Sequence, residues 1–375
     1  MKKFRFYIIT MLLVMATTNF LPKVVLAEEK SKELKSINVS ALTAIALDAD
    51  TGAVLYEKNA HKIVPMASTT KIATALVALK YGDMDKKVQI SNNSTNVSGS
   101  KVGYRKNEEI SIRELLYGLM FKSGNDAAIA IAEGVAGSVD GFMELMNEYA
   151  MQIGLMDTNF QTPHGLDKEE HFSSAYDLAI LTAKAKKDNV FSEIVSSKEI
   201  SKEKMNFTRD YNNINKLLWQ IPEANGVKTG YTGNAGKCLV SSVAYDNKDI
   251  IIVVLNCNER WSETKKIYEY VCKNYEYKKI ISSEDIVSEF QVKEGNKKAE
   301  AYLKEDMILP IKKDSKWDVD ISINNNIKAP LEKDEIIGKV TVKGEGGIIY
   351  QCPLYNKENV KSLPKYRIWL DNIFN

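Results

Sequence analysis

Five Ser-x-x-Lys quartets occur in the chain, starting at Ser68, Ser98, Ser201, Ser262 and Ser362. Such a pair can perform acyl transfer: a serine hydroxyl is a weak nucleophile until a neighbouring base takes its proton, and a buried lysine whose charge is disfavoured can be that base. Context singles out Ser68 and Lys71. In "ASTTKIATALVALK" Ile72, Ala75, Leu76 and Leu79 form an apolar face, so the spacing predicts a helix with Ser68 in its first turn. Lys71 then stands one turn further along on the same side. The helix N-terminus would favour a developing alkoxide. Ser98 and Ser201 sit in polar stretches and Ser362 is followed by Pro364. Ser262 does precede a helical pattern, where it reads as an N-cap.

Two further groups could complete such a site. Ser123-Gly124-Asn125 offers a second hydroxyl and an amide at a turn between helices, although Ser-x-Asn recurs at Ser91, Ser94 and Ser322. Lys228-Thr229-Gly230 occurs once. A lysine and a threonine on a strand edge can hold a carboxylate by charge and hydrogen bond, and a glycine lets a substrate backbone approach. Taken singly, each motif also has a plain structural reading, a capping serine or an exposed strand end. Their order on a helix, a turn and a strand is what makes them one constellation.

Those groups need elements to position them. "LTAIALDA", Asp50-Thr51-Gly52 and "AVLYEKN" predict a hairpin leading into the Ser68 helix. Ile112, Leu115, Leu116 and Leu119 mark an amphipathic helix within Ser111–Met120, ending at Lys122-Ser123-Gly124-Asn125. "DAAIAIAEGVAG" resumes as a buried small-residue helix, and "AYDLAILTAKAKK" follows as another, before the strands around Lys228. The almost wholly aliphatic run Asp249–Leu255 predicts a central strand covered on both faces. The fold class is therefore α+β, an antiparallel sheet between helical layers, closing with a helix Ser262–Asn274. From about Ser283, "VSEFQVKEG", "DVDISINN", "GKVTVKGEGG" and "IIYQCPLY" predict a small all-β domain. The expected divisions are 28–280 for the first domain, 283–360 for the second and 361–375 for an amphipathic tail. In that tail Tyr366, Trp369, Leu370, Ile373 and Phe374 share a helical face, suited either to a membrane interface or to packing on its own domain.

The N-terminus carries Lys2, Lys3 and Arg5, an apolar run from Phe6 to Met15 and a small-residue site at Val25-Leu26-Ala27. It reads as a secretory signal peptide over 1–27, the run being short of the ~20 residues that span a membrane. Removing its four basic residues leaves 47 Lys+Arg against 49 Asp+Glu. That near-neutral balance excludes nucleic acid as an expected partner. Cys238, Cys257, Cys272 and Cys352 are too sparse for a disulfide framework. If Asn247 and Lys248 form the turn of a hairpin, Cys238 falls opposite Cys257; otherwise both are buried free thiols.

With these motifs assembled, the sequence resembles the low-molecular-mass penicillin-binding proteins that are D-alanyl-D-alanine carboxypeptidases. The resemblance is carried by Asp50-Thr51-Gly52 with "VLYEKN", and by "ASTTKIATAL", "ELLYGLMFKSGNDAAIAIAE", "TPHGLD", "SSAYDLAIL" and "GVKTGYTGNAGKCLVSSV". "IKAPLEKDEIIGKV" and "CPLY" extend it into the β-domain, so nearly the whole mature chain is covered. It implies a β-lactamase/transpeptidase-like domain followed by the family's β-domain, with no cofactor and no metal. It also implies roles: Ser68 as nucleophile toward a peptidoglycan stem peptide, Lys71 as acylation base and Ser123 as proton relay. Asn125 would bind the peptide backbone, Lys228 and Thr229 the terminal carboxylate, and Gly230 would allow close approach. The N–H groups of Ser68 and Tyr231 would form the oxyanion hole, and β-lactams would acylate Ser68.

Rival readings are weaker. A class A β-lactamase needs a carboxylate for deacylation, and no Glu-x-x-Leu-Asn element lies between Asn125 and Lys228. A DD-endopeptidase would use the same machinery and stays open. A non-catalytic wall-binding protein would need a broken motif. A metal peptidase has only His61, His164 and His171 to draw on and no His-Glu-x-x-His pattern; His164 and His171 read as solvent or loop residues.

Overall fold

The computed structural model describes residues 37–367. The signal-peptide reading, and with it Trp369, Leu370, Ile373 and Phe374 of the tail, lie outside the described residues.

Hairpins and a set of helices build the N-terminal half. Strands β1 (Thr43–Asp48) and β2 (Val54–Lys58) are followed by helices α1 (Lys71–Tyr81), α2 (Ile112–Phe121), α3 (Asn125–Ala136), α4 (Val139–Gln152), α5 (Ala175–Lys186) and α6 (Asn189–Ser196). Then come β3 (Ala224–Thr232), β4 (Gly236–Tyr245), β5 (Lys248–Leu255) and α7 (Arg260–Asn274). The strands form one antiparallel sheet in the order β2-β1-β5-β4-β3. Along β5, Ile251, Val253 and Leu255 enter the core beneath α1 to α6, whereas Ile250, Ile252 and Val254 enter a second core with Ile267 and Val271 of α7. Burial on both faces is what the aliphatic run records. The strand carrying Lys228-Thr229-Gly230 lies at the sheet's edge.

The hairpin joining β4 to β5 differs by one residue from the turn that would oppose the two cysteines. Asp246 and Asn247 hold the two left-handed turn positions, with φ of +52° and +58°, and Tyr245 pairs with Lys248. The register then sets Leu239 opposite Val254, so Cys238 does not face Cys257; both are buried and free. Cys238 points into the larger core and Cys257 into the smaller one, on opposite faces of the sheet.

Strand β6 (Tyr275–Ile281) leaves α7 directly and pairs with β9 (Met307–Lys312). The remaining strands β7 (Ser288–Gln291), β8 (Lys298–Tyr302), β10 (Trp317–Ile323), β11 (Ile336–Gly344) and β12 (Gly347–Asn356) form a second antiparallel sheet, ordered β7-β8-β12-β11-β10. Leu309, Val340, Val342 and Leu354 centre its separate core. Hydrogen bonds cross between the halves: Tyr277 donates its hydroxyl to Asp48 Oδ2 at 2.5 Å, and Lys313 Nζ donates to Cys272 O of α7 at 2.9 Å. Asp48 Oδ1 meanwhile accepts from the backbone N–H and the hydroxyl of Thr51, closing the Asp50-Thr51-Gly52 turn. Among the described residues no helix is long and apolar enough to cross a membrane.

Candidate active site

Ser68 sits in a 3₁₀ turn, Ala67–Thr70, and the α-helix proper begins at Lys71. The tighter turn matters, because side chains three residues apart eclipse in a 3₁₀ helix. Lys71 Nζ is thus 2.9 Å from Ser68 Oγ. Ala67 holds the left-handed region at φ +50°, a conformation that costs an L-residue about 1–2 kcal/mol. Thr69 and Thr70 brace this turn by donating their hydroxyls to Met66 O and Ala67 O, at 2.6 and 2.8 Å.

Lys71 is wholly buried. Besides Ser68, its Nζ contacts Asn125 Oδ1 at 2.8 Å and His164 O at 2.6 Å. Burial, and next to it the positive charge of Lys228, holds its pKa well below the ordinary lysine value, with Asp126 opposing. In the free-base form its two N–H groups would serve Asn125 Oδ1 and His164 O, which would leave a lone pair for the Ser68 hydrogen. Such an arrangement suits a general base beside a hydroxyl nucleophile.

Both acceptors are held by backbone. Asn125, the first residue of α3, donates from Nδ2 to Ser98 O at 2.6 Å and from its backbone to Ser100 O at 2.7 Å. The same loop is gripped by the Asp126 carboxylate, which accepts from the N–H groups of Val102 and Gly103 at 2.9 and 2.8 Å. The His164 carbonyl is set by Gly165, at φ +90°, where a Cβ would stand 2.0 Å from Ala67 O. Only glycine permits that approach. Ser123 is buried in the turn between α2 and α3 at φ +57°, and no hydrogen bond joins its hydroxyl to Ser68 or Lys71.

The edge strand β3 forms the other wall. A Cβ on Gly230 would lie 3.1 Å from Ser68 N, so the strand runs directly against the Ser68 turn. Lys228 is buried, donates to Thr229 O at 2.8 Å, and has its pKa lowered to about 7, chiefly by burial and then by Arg260. Thr229 is buried beside it, while Tyr231 is 68% exposed. Thr232 donates to Asp167 Oδ1 at 2.7 Å, fastening the end of the strand to the loop after Gly165.

The structure therefore gathers Ser68, Lys71, Asn125 and Gly230 around one point, with Lys228 and Thr229 along the adjoining strand. Several contributors carry no motif of their own. Arg260, at the start of α7, donates to Gly230 O at 2.8 Å and Cys238 O at 3.0 Å, adding positive charge behind β3. Asp126 and Gly165 stood within "SGNDAA" and "TPHGLD", yet nothing in residue type alone announced their tasks. The carbonyls of Ser98, Ser100 and His164 leave no trace in a sequence, since every residue has one. Of the solvent or loop readings of His164 and His171 the loop holds and the solvent does not: both stand in the loop between α4 and α5, 8% and 3% exposed, and burial lowers their pKa values to about 3 and about 4. Ser262 does not make the N-cap expected of it: it lies inside α7, whose N-cap is Glu259, and donates to Glu259 O, whereas Ser201 caps the short helix Lys202–Met205 by accepting from Lys204 N.

A serine and a buried lysine in one turn, walled by an edge strand of an antiparallel sheet between helical layers, define a serine acyl-transfer enzyme of the penicillin-recognising fold. Comparison with known proteins narrows the class. Residues 28–259 match the D-alanyl-D-alanine carboxypeptidase family model, and residues 275–362 match the penicillin-binding protein 5 C-terminal domain. The chain is 33% identical over 348 residues to D-alanyl-D-alanine carboxypeptidase DacF of Bacillus subtilis, covering 89% of this chain and 90% of that one. It is 32% identical over 342 residues to DacA of Haemophilus influenzae, covering 85% of each. Among solved structures, penicillin-binding protein 5 from Haemophilus influenzae superposes with a TM-score of 0.77 at 32% identity, over 88% of this chain and all of that one. A peptidoglycan synthesis regulatory factor (PBP3) from Streptococcus pneumoniae does so with 0.74 at 26% identity, over 87% and 100%. The chain belongs to the D-alanyl-D-alanine carboxypeptidase family of serine peptidases.

Proposed function

We propose that the protein removes the terminal D-alanine from peptidoglycan stem pentapeptides through an acyl-enzyme on Ser68. The observation that carries this reading is the contact of the buried Lys71 with Ser68 Oγ, Asn125 Oδ1 and His164 O together. Lys71 takes the Ser68 proton as Oγ attacks the carbonyl of the penultimate D-alanine. Negative charge on that carbonyl oxygen is received by the N–H groups of Ser68 and Tyr231. Ser123 passes the proton to the leaving D-alanine, Asn125 holds the peptide backbone, and water then releases the acyl group. Lys228 and Thr229 bind the terminal carboxylate, with Arg260 reinforcing the field, and Gly230 admits the substrate along the free edge of β3. β-Lactams acylate the same serine.

In this reading residues 1–27 are a signal peptide, 28–280 the catalytic domain and 283–360 a β-domain. The enzyme acts outside the cytoplasm at the cell wall or the outer face of the membrane, and residues 361–375 make a peripheral membrane contact. The deciding experiment is D-alanine release from a diacyl-Lys-D-Ala-D-Ala peptide by residues 28–375, beside Ser68→Ala. Release that vanishes in the variant supports the assignment; a folded wild type that releases nothing refutes it.

A further inference from the structure

The loop that presents the His164 carbonyl also carries His171, which the chemistry above leaves unused. Both of its ring nitrogens are engaged in the interior. Gln161 N–H donates to Nδ1 at 3.0 Å, and Nε2 lies 2.9 Å from Thr70 Oγ1. An Nδ1 that accepts leaves the neutral ring's proton on Nε2. Thr70 leads to the same tautomer independently: its one hydroxyl hydrogen goes to Ala67 O at 2.8 Å, so Oγ1 can only accept from His171. The direction of the relay is thereby fixed, from His171 Nε2–H to Thr70 and from the Thr70 hydroxyl to the Ala67 carbonyl.

That carbonyl belongs to the left-handed residue immediately before Ser68. Gly165 packs against it next to Thr70, as the 2.0 Å approach of a Cβ placed there to Ala67 O and its 2.8 Å approach to Thr70 Oγ1 make plain. The peptide unit that aims Ser68 is therefore gripped twice by the segment 161–171, once by packing and once by hydrogen bonds. We infer that His171 is a positioning residue for the nucleophile, acting through Thr70 to hold the Ala67 carbonyl and with it the backbone that sets Ser68 against Lys71 and β3. The inference rests on the reading of Ser68 as the nucleophile.

Glutamine and asparagine separate this role from a general packing role. In His171→Gln the amide N–H can reach the place of Nε2 and still donate to Thr70. In His171→Asn the shorter amide reaches only the Nδ1 position and serves Gln161. Acylation by a fluorescent penicillin is expected to stay within about threefold of wild type in His171→Gln, and to slow about tenfold in His171→Asn and in Thr70→Val, the scale of one lost hydrogen bond. The double variant Thr70→Val/His171→Asn should be no slower than the singles, because both break one relay. Histidine-labelled ¹⁵N NMR should show His171 as the Nε2–H tautomer.

Rates that follow melting temperature irrespective of Gln or Asn, a wild-type rate in Thr70→Val, or an Nδ1–H tautomer would each overturn the inference while leaving the proposed function standing. If neither His171 variant folds, Thr70→Val decides. A wild type with the expected tautomer that penicillin never acylates refutes the proposed function itself, and the inference falls with it.

Discussion

Replacing Gly165 by alanine tests whether the loop really sets the nucleophile. Two costs can be separated. The first is conformational: at φ +90° an alanine is strained by about 1–2 kcal/mol whatever surrounds it. The second is steric, since the new Cβ would stand 2.0 Å from Ala67 O and 2.5 Å from Ala67 C. Restoring a tolerable separation of about 3 Å requires the Ala67 peptide to retreat by about 1 Å, and a displacement of that size at a reacting group costs about 10²-fold in rate. Gly154 supplies the control. It has φ +80° with nothing within 4 Å of a Cβ, so Gly154→Ala carries the first cost without the second. Both variants should melt a few degrees below wild type. Acylation by a fluorescent penicillin and D-alanine release should fall about a hundredfold in Gly165→Ala alone. Gly165→Ala acylating at the wild-type rate, or Gly154→Ala losing as much, would refute the reasoning.

Two other outcomes follow from the buried charges. Lys228, with a pKa lowered to about 7, is cationic below that pH and neutral above it, so carboxylate binding is present on the acid side and lost on the alkaline side. The kcat/KM profile for the D-Ala-D-Ala peptide should fall about tenfold per unit above about pH 7, and a profile flat to pH 9 would show that Lys228 does not hold the carboxylate. Glu114 is buried and accepts from Thr208 N at 3.1 and 3.0 Å, from the Thr208 hydroxyl at 2.5 Å and from Tyr211 at 2.9 Å. Glu114→Gln sets an amide N–H2 against those donors and should cost about 2–4 kcal/mol, read as a lower melting temperature; an unchanged one would contradict the network.

What the sequence disclosed follows from how each feature is encoded. The α2 helix appeared in the spacing of Ile112, Leu115, Leu116 and Leu119, although the cap that Ser111 supplies was not read from it. The aliphatic run at β5 was legible because both faces are buried. By contrast, β9 contains Pro310 and reads poorly as a strand, yet it pairs with β6, which itself follows α7 without any breaker. The hairpin at Asp246-Asn247 slipped by one residue because Asp, Asn and Lys sit side by side and more than one of them suits a turn. In the site, the side chains could be found because Ser-x-x-Lys, Ser-x-Asn and Lys-Thr-Gly are distinctive in combination. Their support could not, because it consists of carbonyl oxygens, one tolerated left-handed alanine and the space where a glycine has no side chain.

The two buried lysines explain one another. The acceptors around Lys71 Nζ would by themselves favour an ammonium, so whatever lowers its pKa has to come from elsewhere. It comes first from burial and then from the positive charge of Lys228. In the proposed reaction a substrate carboxylate settles against Lys228 and offsets that charge, which weakens the second influence just as Ser68 must lose its proton. Lys71 thus becomes a stronger base only once substrate is in place. The ammonium it forms finds Asn125 Oδ1 and His164 O already within hydrogen-bonding distance, so charge develops in a setting that needs no rearrangement. Lys228 on this account binds one end of the substrate and times the chemistry at the other.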